Sequence, residues 1–199
     1  MAHVIAYKKK FYPNGMAGGG GGGTLEMCDY AEFNRTRITL PFTINVDYTV
    51  EVDFDADVYF DNQFIIGNTD GANLLHLTQY GGRWYCSGGT GETNFSKSTT
   101  GRHTFKCNYE NKNWFDGEQV TNYNPTTNSA TLLIGGRGNE GNFQGKIYSY
   151  KITSIATGNV LLDLKPAKLT ISNVVVKEGL YDSVTQRFFE NSLVIVGND

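Results

Sequence analysis

Tyr48-Thr49-Val50-Glu51-Val52-Asp53-Phe54 alternates without a break: Tyr48, Val50, Val52 and Phe54 point one way, Thr49, Glu51 and Asp53 the other. Successive side chains of an extended chain leave on opposite faces, so this segment reads as a strand with one buried face. Similar short segments cover 63–66, 74–79, 83–86, 103–109, 113–115, 118–120, 131–134, 145–153, 159–164 and 169–176. Turns rich in Gly, Asn, Asp and Thr separate them at roughly 8–12-residue spacing, the rhythm of an all-β antiparallel sandwich. Asp116-Gly117, between Phe115 and Glu118, is the signature of a two-residue type I′ hairpin, whose central residues both need positive φ. No long run carries a 3.6-residue period, so helix is expected to be nearly absent.

Composition agrees. The 199 residues suffice for one domain with a real core and not for two full ones. Only 39% are hydrophobic, yet 13% are aromatic, so core volume must come from rings and β-branched residues, which favours sheet. Lys plus Arg number 17 against 20 Asp plus Glu, a net charge of −3 that offers no footprint for a polyanion; nucleic acid is not an expected partner. No window approaches ~18 consecutive apolar residues and the N-terminus lacks the apolar core of a secretory signal, so neither a membrane span nor ordinary secretion is expected. Cys28, Cys86 and Cys107 are an odd set without CxxC spacing and read as small hydrophobes, not as a disulfide framework or zinc site.

The first 23 residues differ from the rest. Lys8, Lys9 and Lys10 sit there without a single acid, and Gly18 to Gly23 are six consecutive glycines. Polyglycine loses the most backbone entropy on ordering and cannot hold a fold of its own. The expected organisation is therefore an extended N-terminal arm over 1–23 and one folded body over 24–199. The strand-like residues Val4-Ile5-Ala6-Tyr7 and Phe11-Tyr12 give the arm a use: Tyr7, Lys8, Lys9, Lys10, Phe11 and Tyr12 read as an assembly segment that orders on a partner subunit.

Several C-terminal pieces occur together in order: Gly101-Arg102-His103-Thr104-Phe105, Asn113-Trp114-Phe115-Asp116-Gly117, Leu132-Leu133-Ile134-Gly135-Gly136, Phe143-Gln144-Gly145-Lys146-Ile147-Tyr148, Pro166, and Gly179-Leu180-Tyr181-Asp182 followed by Phe188-Phe189. Over about residues 30–192 this resembles the concanavalin A-like, laminin-G-like jelly-roll module found in bacteriophage virion proteins and bacterial surface proteins. The resemblance implies a jelly-roll sandwich and a non-enzymatic virion component displayed on the particle surface as a decoration, fibre or adhesion module. Assembly in host cytoplasm, homo-oligomers and a host or environmental glycan as ligand follow by analogy; the arm, which is not part of that module, would join other virion proteins. In the closing segment Tyr181 is placed to pack with one Phe as a cross-strand aromatic pair.

Candidate sites follow from chemistry. Sugars are held by aromatic faces together with amide and guanidinium donors, and glycine turns allow close approach. Tyr80, Arg83, Trp84, Tyr85 and Asn94 around Gly81-Gly82 form the best such set, although Trp84 also suits a core position and Trp114 reads as structural. Glu51 and Asp55 stand where glucanases of the resembled fold carry nucleophile and acid/base, with Asp53 between them. Asp55 is one methylene too short for the acid, so no catalytic residue is assigned and a glycoside hydrolase is the rival reading. Asp53, Asp55, Asp57 and Asp61 lack the Gly and Glu of an EF-type calcium loop, since Val58 and Phe64 stand at those positions; no metal or cofactor is expected. His76 and His103 fall in strands with no Cys, Asp or Ser arrangement beside them and read as core or surface imidazoles.

Overall fold

A computed structural model describes residues 9–11, 23–43, 47–70, 75–89, 91–122, 128–190 and 194–198. The strands are β1 (Lys9–Phe11), β2 (Gly23–Met27), β3 (Tyr30–Thr36), β4 (Ile38–Thr43), β5 (Tyr48–Ala56), β6 (Gln63–Asn68), β7 (Leu75–Tyr80), β8 (Arg83–Gly89), β9 (Gly91–Phe95) and β10 (Gly101–Tyr109). They continue with β11 (Lys112–Phe115), β12 (Glu118–Asn122), β13 (Thr131–Ile134), β14 (Gly136–Arg137), β15 (Glu140–Gly141), β16 (Phe143–Ser154), β17 (Val160–Ile171), β18 (Val174–Asp182), β19 (Arg187–Phe189) and β20 (Val194–Gly197). No helix occurs among the described residues, and the strand pairings among them are antiparallel. The larger sheet runs β1-β2-β17-β16-β5-β10-β11-β12, with β18, β19, β3 and β20 attached beside it; the smaller runs β4-β13-β6-β7-β8-β9.

Strand β5 buries alternate residues along its whole length, as its sequence requires. Its inward Val50, Val52 and Phe54 meet Ile65, Leu77 and Trp84 of the smaller sheet, and both sheets pack on one continuous core. Rings dominate that core, with Trp84 5.5 Å from Phe54 and 5.2 Å from Phe115 between centroids. Close approach explains the Phe-x-Gly-x-Ile run in β16: a Cβ on Gly145 would lie 2.1 Å from the Asp55 carbonyl oxygen of β5. All three cysteines are buried and none is in a disulfide, as small hydrophobes would be.

One expectation needs correction. The segment 169–176 is not one strand. Ser172 and Asn173 take φ of 49° and 65° and turn the chain between β17 and β18; with no glycine there, local pattern did not announce the turn. Gly23 already belongs to β2, which pairs with β17 through Thr24 to Met27. Of the arm, Lys9, Lys10 and Phe11 form β1 against Leu25, Thr24 and Gly23, while Tyr7, Lys8 and Tyr12 lie outside the described residues. The closing pair is as expected: Tyr181 lies opposite Phe188, with ring centroids 5.2 Å apart.

Candidate functional site

The β7–β8 hairpin turns on Gly81 and Gly82, at φ of 56° and 73°, a conformation that L side chains resist. The turn sets Tyr80 opposite Arg83 and Thr78 opposite Tyr85. Because Trp84 and Cys86 point into the core, period-two alternation sends Arg83 and Tyr85 to the outer face of the smaller sheet. There Tyr80, 52% exposed, meets the edge of Tyr85 at 6.1 Å between centroids. Strand β9 brings Asn94 opposite Tyr85, and Arg83 Nη1 donates to Asn94 Oδ1 at 3.0 Å. Four of the five expected residues thus share one exposed patch of two phenol rings, a guanidinium and a carboxamide.

Trp84 is the correction. Its side chain has no exposed surface, its Nε1 donates to the Ser98 carbonyl at 2.7 Å, and Phe54, Phe115 and His103 surround it. An indole that is the inward member of an alternating strand supplies core volume and cannot stack on a ligand.

The sequence reading missed the support beneath the patch. Tyr59 and Asp61, in the loop between β5 and β6, hydrogen-bond to each other. Asp61 Oδ1 accepts the Gly81 N–H at 2.8 Å, and the Tyr59 hydroxyl accepts the Gly82 N–H at 2.6 Å. The Tyr59 hydrogen bond, followed by the Gly81 N–H, holds the Asp61 carboxyl below its usual range; the same bond to Asp61 raises the Tyr59 phenol. Both glycine amides of the hairpin are therefore fixed from outside. Tyr59, itself exposed, adds a third ring at this end of the molecule. An aromatic–Asp pair eight residues after a strand's central Glu carries no local signal of such a partner.

The outward face of β5 is built differently. Lys106 Nζ lies 3.1 Å from Glu51, and Arg102 grips Asp53 through Nε and Nη2 at 3.0 and 2.8 Å while stacking over Tyr148 at 3.8 Å. Asp55 stands in register between Arg102 and Lys146. Burial, followed by the Asp55 charge, raises the neighbouring Asp57 carboxyl. Glu51 and Asp53 thus belong to cross-strand ion pairs, in which each exposed pair contributes little and both favour the observed register. Among the described residues no three His, Cys, Asp or Glu side chains converge as a metal cage.

Both strand histidines are buried, and His103 has a partner that sequence order concealed. Its Nδ1 lies 2.8 Å from Asp116 Oδ2 in the β11–β12 turn, while Nε2 faces the Thr100 carbonyl oxygen at 3.3 Å. With a carbonyl where a triad would hold its nucleophile, the pair ties the hairpin to β10. No protein-family model, curated protein or solved structure matches the chain.

Proposed function

We propose that the chain is a non-enzymatic bacteriophage virion protein: a concanavalin A-like jelly roll displayed on the particle surface, anchored through residues 1–23 to other virion proteins and binding glycans through Tyr80, Arg83, Tyr85 and Asn94. Two antiparallel sheets on one core suit that architecture. The segments that carry the resemblance also occupy structurally demanding positions: the Phe143–Tyr148 run in the long β16, and the β18–β19 closure. The observation that carries the binding reading is the outer patch on β7 to β9, where two tyrosine rings adjoin a guanidinium and an amide already aligned by a hydrogen bond. Rings at right angles, on a hairpin whose amides are fixed, lose little entropy when they meet a sugar face.

The ion pairs on β5 weigh against the hydrolase reading. A nucleophilic Glu51 would have to leave Lys106, and the stabilising Asp53 is clamped by Arg102.

The test is binding of the purified chain to host cells and to a glycan array. Tyr80→Ala and Arg83→Ala should each weaken binding about tenfold, with the urea midpoint unchanged because both side chains are exposed. Unaltered binding in both variants would remove the patch from the function. Glu51-dependent release of reducing sugar would replace the binding reading with hydrolysis.

A further inference from the structure

A surface cavity of about 250 Å³ opens on the outer face of the larger sheet, on the opposite side of the molecule from Tyr80 and Tyr85, and is lined by Thr104, Lys106, Tyr109, Trp114 and Gly117. Its walls depend on an irregularity in β10. Phe105 and Cys107 point into the core, and an unbroken period of two would send Tyr109 in after them. The register instead shifts between Lys106 and Tyr109, and Asn108 takes φ of 57°. Asn108 is only 2% exposed: its Nδ2 donates to the Tyr48 carbonyl at 3.2 Å, and its N–H donates to Asn113 Oδ1 at 3.4 Å. The extra residue turns Tyr109 outward, as a bulge does when it re-aims a side chain. There Tyr109 is 43% exposed and stands edge-on to Trp114, with centroids 6.4 Å apart and planes at 77°.

The polar lining complements the rings. Lys106 lies in register with Trp114 on one side and Glu51 on the other; its Nζ is 5.0 Å from the Tyr109 centroid and 3.1 Å from Glu51. Thr104 supplies an exposed hydroxyl, and Gly117, with open space where a side chain would begin, leaves one side clear. The volume falls just below the roughly 300–1,000 Å³ of drug-sized sites, so the cavity takes one ring and not an extended ligand. Glu51 balances Lys106, which disfavours an anionic ligand.

We propose that Thr104, Lys106, Tyr109 and Trp114 form a second carbohydrate site, which takes a single neutral pyranose of a hexose glycan. The apolar face of the sugar lies on Trp114 against Tyr109, and its hydroxyls meet the Thr104 hydroxyl and the Lys106–Glu51 pair. Only the ligand class is shared with the function proposed above; the cavity stands on its own residues.

The test follows the two indole N–H resonances during titration with glucose, galactose and mannose trisaccharides to about 10 mM, above the millimolar Kd of weak single-ring sites. Trp114 should shift saturably with at least one of them while the buried Trp84 stays still. Tyr109→Ala should weaken that response at least about tenfold, and Tyr80→Ala should leave it unchanged. If Tyr109→Ala fails to fold, Thr104→Ala, a change at an exposed lining residue that keeps the Trp114 reporter, decides. A Trp114 resonance unmoved by all three sugars, or an affinity unchanged in Tyr109→Ala, overturns the site; tighter binding of a uronic-acid oligosaccharide overturns the ligand class. Because Tyr80→Ala reports on the other face, loss of one site is distinguishable from loss of the other.

Discussion

Tyr150 lies in the middle of β16 with its side chain fully buried, and its hydroxyl has no hydrogen-bond partner among the described residues. The nearby Tyr48 differs, since its hydroxyl donates to the Thr43 carbonyl. A buried hydroxyl without a partner costs about 1–3 kcal/mol of desolvation, whereas a ring edge of the same shape costs nothing comparable. Tyr150→Phe should therefore raise stability by about 1 kcal/mol or more, read as a higher urea midpoint with unchanged slope. Burial also pushes the Tyr150 phenol well above its usual value of 10.0, so the unfolded chain ionises there first. The neutral phenol's share of stability is intact below pH 10 and declines above it, and Tyr150→Phe should flatten that alkaline decline. A lower midpoint for the variant would mean that the hydroxyl has a partner in solution.

Asp116 and Gly117 show how much one hairpin can carry. Both take positive φ, at 50° and 77°. Asp116 Oδ1 accepts the Thr104 N–H at 2.8 Å, and Oδ2 meets His103. Asp116→Ala places a Cβ-bearing residue with no capping group in the left-handed region and strands a buried imidazole, so it should cost about 2–3 kcal/mol. Asp116→Asn keeps the tolerance for positive φ and the acceptor for Thr104, and should lose about half as much or less by thermal unfolding; equal losses would show that only the carboxylate oxygen facing His103 matters. The turn itself was legible because Asp-Gly advertises its backbone, and β5 was legible because alternation advertises burial. Other features were not. The Ser172–Asn173 turn and the Asn108 bulge reach positive φ without a glycine, and Asn is too common outside turns to mark them. Strand β3 is mostly polar after Phe33, and in β4 Pro41 interrupts the alternation of Ile38, Leu40 and Phe42. The patch residues were visible by type, but facing was fixed by parity: an even step from Cys86 put Trp84 inside, and odd steps put Arg83 and Tyr85 outside.

At the margin of the larger sheet, β1 adds three cross-strand pairs among the described residues, all to β2. Backbone hydrogen bonds contribute a net of about 0.5–1.5 kcal/mol each, and fixing each residue costs about 1–2 kcal/mol, so the terms nearly cancel. Strand β2 is different. Its Leu25 is buried with Ala167 and Tyr181 under Phe188, and its backbone pairs with β17 from Ala167 to Thr170. Deleting residues 1–22 should therefore move Tm by no more than a few degrees, since about 1 kcal/mol corresponds to roughly 2–4 °C in a chain of this size. Deleting residues 1–27 removes Leu25 from its cluster, a loss of about 2–5 kcal/mol, and should lower Tm by roughly 5–15 °C. If residues 1–23 are the anchor, both truncations should fail to enter particles, although only the second is destabilised. A large drop in Tm on losing residues 1–22 would make the polyglycine segment part of the folded body. Normal incorporation of that truncation would leave the anchor elsewhere on the sheets.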